Sequence, residues 1–448
     1  MTKSMTESEI SEAVMAPSLA AAVDWLWHDD VLRDPTVASR ARLLLLDCLG
    51  CALAALAKPE LAAIAAALRV DEPGPIVLPA VGGGFTTASA ASLLAMAICW
   101  DEACEGLPRA HGRPGIHAAA PAVALALARA GDRPASLGDV LRALVVGYEI
   151  GGRMGAAFRI KPGMHVDGTW GTFGAVAAVA HLRGLAAPAT LDALNSAACQ
   201  LPYSLYLPIT GGHTARNVYL GHAAALALLV TAAAAGGVTA PAAAPATQRR
   251  LALGLEPAVA LAPPGVWLIL EGYLKNFAAV RHVHYGAACA LAWRAAVGAP
   301  VPPIRALKLA VYQEALTYCP NRAPRSAIQA QFSLSFGLVR TLLHGSLEPD
   351  AYGDAVLVDP ALQRLEQLVE IAADPALTAR GAILTVVSDR GDWQGRSADS
   401  ADDPERPMTE AAVEAKFRRY AAPALGDRVS ALADLILRGQ LDAPFSFS

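Results

Sequence analysis

The segment from Gly163 to Gly174 combines a histidine with four glycines in twelve residues. Glycines let the backbone approach another group closely, and the imidazole of His165 readily transfers protons near neutral pH. A lone histidine is more often structural than catalytic, but the glycine context favours a functional role here. Asp167, two residues further on, is expected either to orient this ring or to face water.

A second group of titratable residues lies between positions 99 and 117. Asp101 and Glu102 are adjacent carboxylates, and His111 and His117 flank a segment rich in glycine and proline. Two carboxylates and two histidines could supply an acid and a base for proton transfer. A solvated loop with salt-bridged carboxylates is a slightly simpler explanation of these residues alone, so both interpretations stay open.

Cationic side chains occur in two later segments. Lys275, Arg281 and His284 lie within ten residues, which is unusual in so alanine-rich a chain. The guanidinium of Arg216 can hold a carboxylate through two hydrogen bonds but does not readily release a proton. We therefore predict binding of a polycarboxylate. The alternatives are solvent-exposed charge near Lys275 and a surface ion pair for Arg216.

Several of these segments resemble the MmgE/PrpD family, which holds 2-methylcitrate dehydratases, cis-aconitate decarboxylases and iminodisuccinate epimerases. The segment at His165 is similar to the family pattern His-x-x-Gly-Thr-x-Gly-x-Phe-Gly-Ala. Lys275, Arg281 and His284 fit Lys-x-Tyr-Pro-x-x-Arg-x-x-His, with Phe-Ala in place of Tyr-Pro. The order and spacing of these segments cover nearly the whole chain.

The chain departs from the family at several positions of the implied site. Cys99 and Ala103 stand where the pattern Asp-x-Asp-Asp-Thr has its first aspartate and its threonine. Arg216 occupies the lysine position of Lys-x-x-His-x-Gly. The element Gly-His-Pro-Ser is absent as such, and we expect His111 or His117 to replace its histidine.

The resemblance implies a cofactor-independent lyase of the dehydratase or decarboxylase type, which abstracts a proton next to a carboxylate of a di- or tricarboxylate. An epimerase or isomerase of an amino- or iminodicarboxylate is the alternative within the family. A carboxylate-binding or scaffold protein without catalysis is the alternative of another class. The predicted catalytic residues are His165, Asp101, His111 and Lys275. The predicted substrate-binding residues are Arg216, Arg281, His284, His117 and Cys99.

Apolar periodicity predicts helices over most of residues 17 to about 260. Ser136 with Asp139 resembles a capping box, and Thr190 is expected to cap another helix. Later in the chain, apolar residues that alternate with other residues at 307–312 predict a strand, and so does a run rich in β-branched residues at 382–387. Helices are predicted around 329–344, after Asp359-Pro360 and after Thr409, with a polar loop at 391–407.

This order predicts a mainly α fold, with a large all-helical domain built from both chain ends and an inserted smaller α+β lid domain. The predicted boundaries are an N-terminal tail at 1–16, helical domain at 17–272 and 403–448, and lid at 273–402. The resemblance implies the same layout and a homodimer. The quantity of apolar helix surface in residues 17–260 also favours a homodimer.

Composition argues against several other classes. The net charge is −4 and basic residues form no tract, so nucleic-acid binding is not expected. The charge-free run 223–247 contains Gly236 and Pro241, which favours a buried helix over a membrane span. The polar start and the scattered cysteines indicate a cytoplasmic protein with reduced thiols. No phosphate-binding glycine pattern and no convincing metal-ligand spacing occur, so we expect neither a cofactor nor a metal.

Overall fold

Apolar residues at helical spacing build the first part of the protein. The computed structural model describes residues 7–129, 134–255, 260–397 and 407–447. The helices up to residue 253 are α1 (Glu7–His28), α2 (Pro35–Leu56), α3 (Pro59–Asp71), α4 (Thr87–Trp100), α5 (Pro114–Ala128), α6 (Leu137–Ala157), α7 (Gly171–Arg183), α8 (Ala187–Cys199), α9 (Leu207–Gly211), α10 (Tyr219–Ala235) and α11 (Ala244–Leu253). Two short antiparallel pairs accompany them, β1 (Pro73–Leu78) with β2 (Gly82–Phe85) and β3 (Met164–His165) with β4 (Ser204–Leu205).

Small residues bring the central helices α5, α6 and α7 into close contact. A methyl group added at Gly147 of α6 would lie 2.6 Å from Cβ of Ala118 and 2.7 Å from the carbonyl oxygen of Gly174 on α7. The helix backbones therefore approach more closely than larger side chains would allow. This tight centre explains why the chain uses so much alanine and glycine in this region.

The chain then forms an α+β unit. Its helices are α12 (Arg281–Val297), α13 (Gln313–Tyr318), α14 (Ala327–Gln331), α15 (Leu334–His344), α16 (Asp354–Leu357) and α17 (Pro360–Gln367). Its strands β5 (Ile304–Val311), β6 (Val369–Ala373), β7 (Ala382–Ser388) and β8 (Gly391–Ser397) form a sheet in the order β6-β5-β7-β8. The pair β5–β6 is parallel and the other pairs are antiparallel.

The last helices, α18 (Glu410–Leu425) and α19 (Arg428–Arg438), return to the helical part and pack on α2. The ammonium of Lys416 lies 2.6 Å from Oδ1 of Asp47 on α2, and both groups are buried. Arg42 of α2 donates to the carbonyl oxygens of Ile436 and Gly439 at 2.7 and 3.0 Å. The helical body (the described residues of 7–255 with 407–447) is thus built from both the first and the last described parts of the chain.

Many local predictions are confirmed, and three are wrong. Ser136 and Asp139 form a capping box, and both strand predictions coincide with β5 and β7. Thr190 lies inside α8 and donates to the carbonyl of Ala186 rather than capping the helix, because Pro188 already sits in its first turn. Residues 7–16 of the predicted tail are helical, and residues 391–397 of the predicted loop are strand β8, while 1–6 and 398–406 lie outside the described residues.

The mainly α fold class is confirmed, whereas the exact domain boundaries and the lid role stay predictions. Within the described residues, the continuous helical stretch Thr214–Ala235 is long and apolar enough to span a membrane. The helices α2 and α3 would also meet this criterion if they were counted as one span, but they are bent by 88° relative to each other. Just over half of the Thr214–Ala235 window is buried inside the protein, as in the core helix of a globular protein.

Candidate active site

Two adjoining cavities are lined by residues of both the helical body and the α+β unit. The first, which we call the polar chamber, has a volume of about 120 Å³. The second, which we call the apolar chamber, has a volume of about 350 Å³ and shares His165, His282 and Phe332 with the first. The charged residues and histidines that line the polar chamber are Glu102, His111, Arg113, His165, Asp167, Lys275, Arg281, His282 and Arg380.

The turn after α4 aims Glu102 into this site. Glu102 has a left-handed backbone, with φ of 54°, which is uncommon for a residue other than glycine. The neighbouring Asp101 points the other way, to Lys58 at 2.7 Å. His111, further along the same loop, is also left-handed, with φ of 50°. Strained backbone of this kind concentrates at functional sites, which supports a role for the loop.

Glu102 is the centre of a buried ion-pair network. Its Oε2 lies 2.7 Å from Nζ of Lys275, and its Oε1 lies 3.1 Å from Nη1 of Arg113. Arg216 contacts the same Oε1. A second carboxylate, Asp167, pairs with Arg113 and lies 3.3 Å from Nη2 of Arg216. Three cations therefore surround two carboxylates in the wall of the polar chamber.

A hydrogen bond from the backbone of Asp167 orients the ring of His165. The backbone N–H of Asp167 donates to Nδ1 of His165 at 3.0 Å. Burial lowers the pKa of His165, and the Asp167 carboxylate, 3.6 Å away, opposes that shift. The ring is therefore neutral at pH 7, and because Nδ1 accepts, Nε2 carries the proton.

Asp167 is fully buried, so of the two expectations for it, facing water is wrong. Burial alone would raise its pKa, but Arg113, His165 and His117 lower the pKa to about 2. The carboxylate is thus ionised at all ordinary pH values.

Lys275 reaches the chamber from a segment that pairs with the α4–α5 loop. Gly106 and Tyr273 exchange backbone hydrogen bonds of 3.0 and 2.8 Å, which places Lys275 beside Glu102. Burial, followed by Arg113 and Arg216, lowers the pKa of Lys275, while the ion pair with Glu102 acts in the opposite direction. Its ammonium can therefore exchange a proton more readily than an exposed lysine can.

The first turn of α12 supplies two further groups. Arg281 lies over the Tyr273 ring, with its guanidinium carbon 3.6 Å from the ring centroid, and donates to the hydroxyl of Tyr285 at 3.1 Å. His282 bonds the hydroxyl of Tyr312 through Nδ1, and burial lowers its pKa to about 3. A helix N-terminus also favours anions, so this turn is suited to a substrate carboxylate.

His111 and Arg380 lie at the rim of both chambers. Partial burial and the charge of Arg380 lower the pKa of His111, so its ring is neutral at pH 7. Among the described residues, the His111 ring has no hydrogen-bond partner. Arg380 comes from the segment between β6 and β7, and its nearest acid is Glu314 at 3.7 Å.

Three of the predicted site residues lie outside the polar chamber. Asp101 pairs with Lys58. Both ring nitrogens of His117 are used within the protein, since Nδ1 donates to the carbonyl of Arg113 at 2.9 Å and Nε2 accepts from Gly168 at 3.3 Å. His284 is fully buried and bonds the carbonyl of Ala279 at 3.0 Å. We assign all three to positioning the surrounding backbone rather than to contact with substrate.

Two other predicted binding residues lie behind the chamber wall. Arg216 is fully buried and contacts Glu102, Asp167 and the carbonyl oxygen of Cys99. The Cys99 thiol is also buried and lies 3.9 Å from Oδ2 of Asp167. Both residues therefore act on the site through the carboxylates that they contact. Of the nine predicted residues, the structure brings His165, His111, Lys275 and Arg281 together in the chamber.

Sequence reasoning left out several chamber residues that the structure brings to this site. Arg113 had a usable signal, because Gly112-Arg113-Pro114-Gly115 has the shape of Gly-His-Pro-Ser with arginine at the histidine position. His282 lies in the same segment as Arg281 and His284, and spacing alone does not show which of the two histidines faces the chamber. Arg380 had no local signal, since the fold alone brings the β6–β7 segment to the chamber.

One set of potential metal ligands occurs among the described residues, formed by Asp47, Cys51 and Cys104 with ligand atoms within 4.8 Å of one another. The Asp47 carboxylate already forms an ion pair with the Lys416 ammonium. Burial raises the pKa of both thiols well above the ordinary range, which keeps them protonated. These residues therefore do not fit a metal ion well.

A cationic chamber with three neutral histidines is suited to acid–base chemistry on an anionic substrate. Residues 19–255 match the model of the MmgE/PrpD N-terminal domain, and residues 277–438 match that of the MmgE/PrpD C-terminal domain. Because these matches span most of the chain, the protein belongs to the MmgE/PrpD family, whose members are generally lyases or isomerases. No curated protein matches the chain.

Proposed function

We propose that this protein is a cofactor-independent lyase that removes a proton next to a carboxylate of a di- or tricarboxylate and expels a leaving group. The observation that carries the proposal is that two neutral histidines, His111 and His165, line one chamber together with cationic side chains. The family membership supports the general class of reaction. Dehydration and decarboxylation both belong to that class.

The charge of the polar chamber favours a dianionic ligand. Its lining includes the cations Arg113, Arg281, Arg380 and, when protonated, Lys275. The two lining carboxylates, Glu102 and Asp167, neutralise part of that charge and leave an excess of two positive charges. Cations that remain in place as an enolate-like intermediate forms stabilise its negative charge.

The two histidines suit different roles. His111 is neutral and has an available ring nitrogen, so it takes the proton from the carbon next to the carboxylate. The C–H electrons form the enolate-like intermediate, and the leaving group then departs. His165 keeps its proton and donates an Nε2–H hydrogen bond to the leaving group, while the His111 imidazolium returns the proton to that group, so that a hydroxyl group leaves as water. This transfer restores the neutral ring of His111.

A second candidate is an epimerase or isomerase of an amino- or iminodicarboxylate, and the same pair of histidines favours it. If the substrate lacks a leaving group, the carbanion takes a proton from water on the face that His165 lines, and exchange with solvent restores the neutral ring of His111. The third candidate, a carboxylate-binding protein without catalysis, draws support from the substitutions at Cys99 and Arg216. The chamber histidines and Lys275 weigh against it.

The seven cysteines are all free thiols, which fits the cytoplasmic location that we propose.

Solvent deuterium exchange tests the proposal. The protein is incubated in deuterated water with citrate-like, methylcitrate-like and aminodicarboxylate compounds, and proton NMR follows the hydrogen next to each carboxylate. We expect exchange or elimination with at least one compound, and a loss of about 10²–10⁴-fold in rate for His165→Gln. The matched control is His213→Gln, which changes an exposed histidine outside both chambers.

The outcomes separate the candidates. An alkene product indicates a lyase, whereas exchange with inversion and no alkene indicates an epimerase. Binding without exchange for any compound supports the non-catalytic alternative. Full activity of His165→Gln on the true substrate would overturn the assignment of His165.

A further inference from the structure

The apolar chamber is larger than the polar chamber and has a different lining. Its walls include Ala110, Phe158, Ile160, Met164, Tyr206 and Tyr318. Its charged residues are Arg159, Glu314 and Arg380. Pockets of this composition, apolar with a few polar groups, are typical of small-molecule sites.

The wall formed by Tyr206 presents ring surface rather than a free hydroxyl group to a ligand. The Tyr206 hydroxyl donates to the carbonyl oxygen of Tyr318 at 2.8 Å, so it is already satisfied within the protein. The Tyr206 ring stacks on His165, with ring centroids 5.8 Å apart and an angle of 21° between the planes. The wall next to the reactive histidine is therefore an aromatic face.

The two chambers meet at the histidines proposed to act on the reacting carbon and its leaving group. His111 and His165 line both chambers, and Phe332 lies at the same boundary. A carbon that reacts at His165 therefore has the cationic wall on one side and the aromatic wall on the other. A compact tricarboxylate would leave the 350 Å³ of the apolar chamber unused.

We propose that the substrate is a dicarboxylate that bears an apolar arm, aliphatic or aromatic, with the carboxylates in the polar chamber and the arm in the apolar chamber. This inference rests on the proposed function, because it assumes that the polar chamber binds carboxylates. The inference specifies the substrate class, which differs from small, wholly polar polycarboxylates by its apolar arm. Burial of each additional methylene should raise affinity about fourfold.

A matched ligand series tests the inference on the full-length protein. Isothermal titration calorimetry compares succinate, methylsuccinate, butylsuccinate, phenylsuccinate and tricarballylate. We expect butylsuccinate and phenylsuccinate to bind at least about tenfold more tightly than methylsuccinate. Tricarballylate, which carries a third carboxylate in place of the arm, should bind no more tightly than methylsuccinate.

Variants of Met164, which lines only the apolar chamber, show where the arm binds. Met164→Gln has similar volume but a polar end, so it should reduce the preference for butylsuccinate over methylsuccinate about threefold or more. Met164→Leu should keep the preference, as should Leu251→Gln, which changes a residue 69% exposed on α11.

Equal affinity for methylsuccinate and the two arm-bearing ligands would overturn the inference while leaving the proposed function standing. Tightest binding of tricarballylate would do the same. A failure of every diacid to bind would overturn the proposed function and the inference with it. A preference that Met164→Gln leaves unchanged would show that the arm binds elsewhere and would also overturn the inference.

Discussion

At the scale of single residues, Glu102 organises the candidate site. Its carboxylate contacts Lys275, Arg113 and Arg216, and only 3% of the residue is exposed. Without this carboxylate, Asp167 alone would balance the three cations. A buried charge that loses its partner is costly, because water does not replace the lost interaction.

We therefore predict that Glu102→Gln lowers the free energy of unfolding by about 3–5 kcal/mol. Added succinate should stabilise this variant more than the wild type, since an anion replaces the lost carboxylate. Urea denaturation with and without succinate measures both effects. Glu314→Gln, which changes a carboxylate 39% exposed, is the control and should change stability by less than about 1 kcal/mol. A stability of Glu102→Gln equal to that of the control would contradict the central role of Glu102.

His282 connects the site to the pH dependence of folding. Its pKa is lowered to about 3 by burial and then by Arg380, whereas an unfolded histidine has a pKa of about 6.5. Between these values the unfolded chain binds a proton that the native protein does not. The free energy of unfolding should therefore decrease as the pH falls below about 6.5, by up to about 1.4 kcal/mol per pH unit from this residue.

We predict that His282→Gln makes the urea midpoint less dependent on pH between 7.5 and 5. The other buried histidines, His117, His165 and His284, are present in both proteins, so the difference isolates His282. His213→Gln, at an exposed position, should leave the wild-type slope in place. If the urea midpoints of the wild type and of His282→Gln changed equally with pH, His282 would not titrate in this way.

At the scale of secondary-structure elements, α18 supports the site through contacts outside the chamber. The ammonium of Lys416 binds Asp47 of α2 and donates to the carbonyl oxygens of Ala103 and Lys275 at 2.6 and 2.8 Å. Burial is the largest single influence and disfavours this charge, but the charge and hydrogen bond of Asp47, together with the nearby thiols Cys51 and Cys104, raise the pKa of Lys416. One side chain thus joins the C-terminal helix to the two backbone segments that carry Glu102 and Lys275.

We predict that Lys416→Met lowers the free energy of unfolding by about 3–5 kcal/mol, because Asp47 is left buried and unpaired. Asp47→Asn combined with Lys416→Met should recover part of that loss. Turnover should stay reduced in the double variant, since the two carbonyl oxygens still lack their donor. Urea denaturation and the exchange assay measure the two effects.

Arg418→Met is the control on the same helix. Its partner Glu414 lies at the surface side of α18, so the loss should be below about 1 kcal/mol. Full turnover in the Asp47→Asn, Lys416→Met protein would show that α18 stabilises the fold without positioning the site.

At the scale of the whole molecule, α10 presents an uncharged face to solvent. Val218, just before the helix, is 48% exposed and Leu229 is 64% exposed. His222 and Ala232 lie on the same side and are also exposed. We propose that this mostly apolar exposed surface joins two copies of the chain.

We predict that the wild type sediments at twice the chain mass of 46.3 kDa at micromolar concentration. Leu229→Arg should yield the single chain, because a charge in an apolar interface is not paired. Leu251→Arg, at an equally exposed position on α11, should remain dimeric. A wild type that sediments as a single chain would exclude the dimer at that concentration.

The sequence by itself determined the elements whose signals are local. Ser136 with Asp139, Asp359 before Pro360, and Thr409 each begin a helix as their side chains predict, because caps act within one turn. The same holds for β5, where the alternation of apolar residues reflects burial, and for β7, where β-branched residues favour a strand. The polar strand β8 was missed because it carries no such periodicity. His165, Lys275 and the family resemblance were also accessible from motif and spacing alone.

Only the tertiary structure decided which side chains share the chamber. Asp101 and Glu102 are adjacent and chemically alike, yet the left-handed turn at Glu102 sends one to Lys58 and the other to Lys275. The sequence suggests that Arg216 binds substrate, but in the folded protein its guanidinium contacts the carboxylates of Glu102 and Asp167. Arg380 reaches the chamber only because the α+β unit folds against the helical body. Direction and burial of a side chain depend on contacts between distant segments, which no local pattern records.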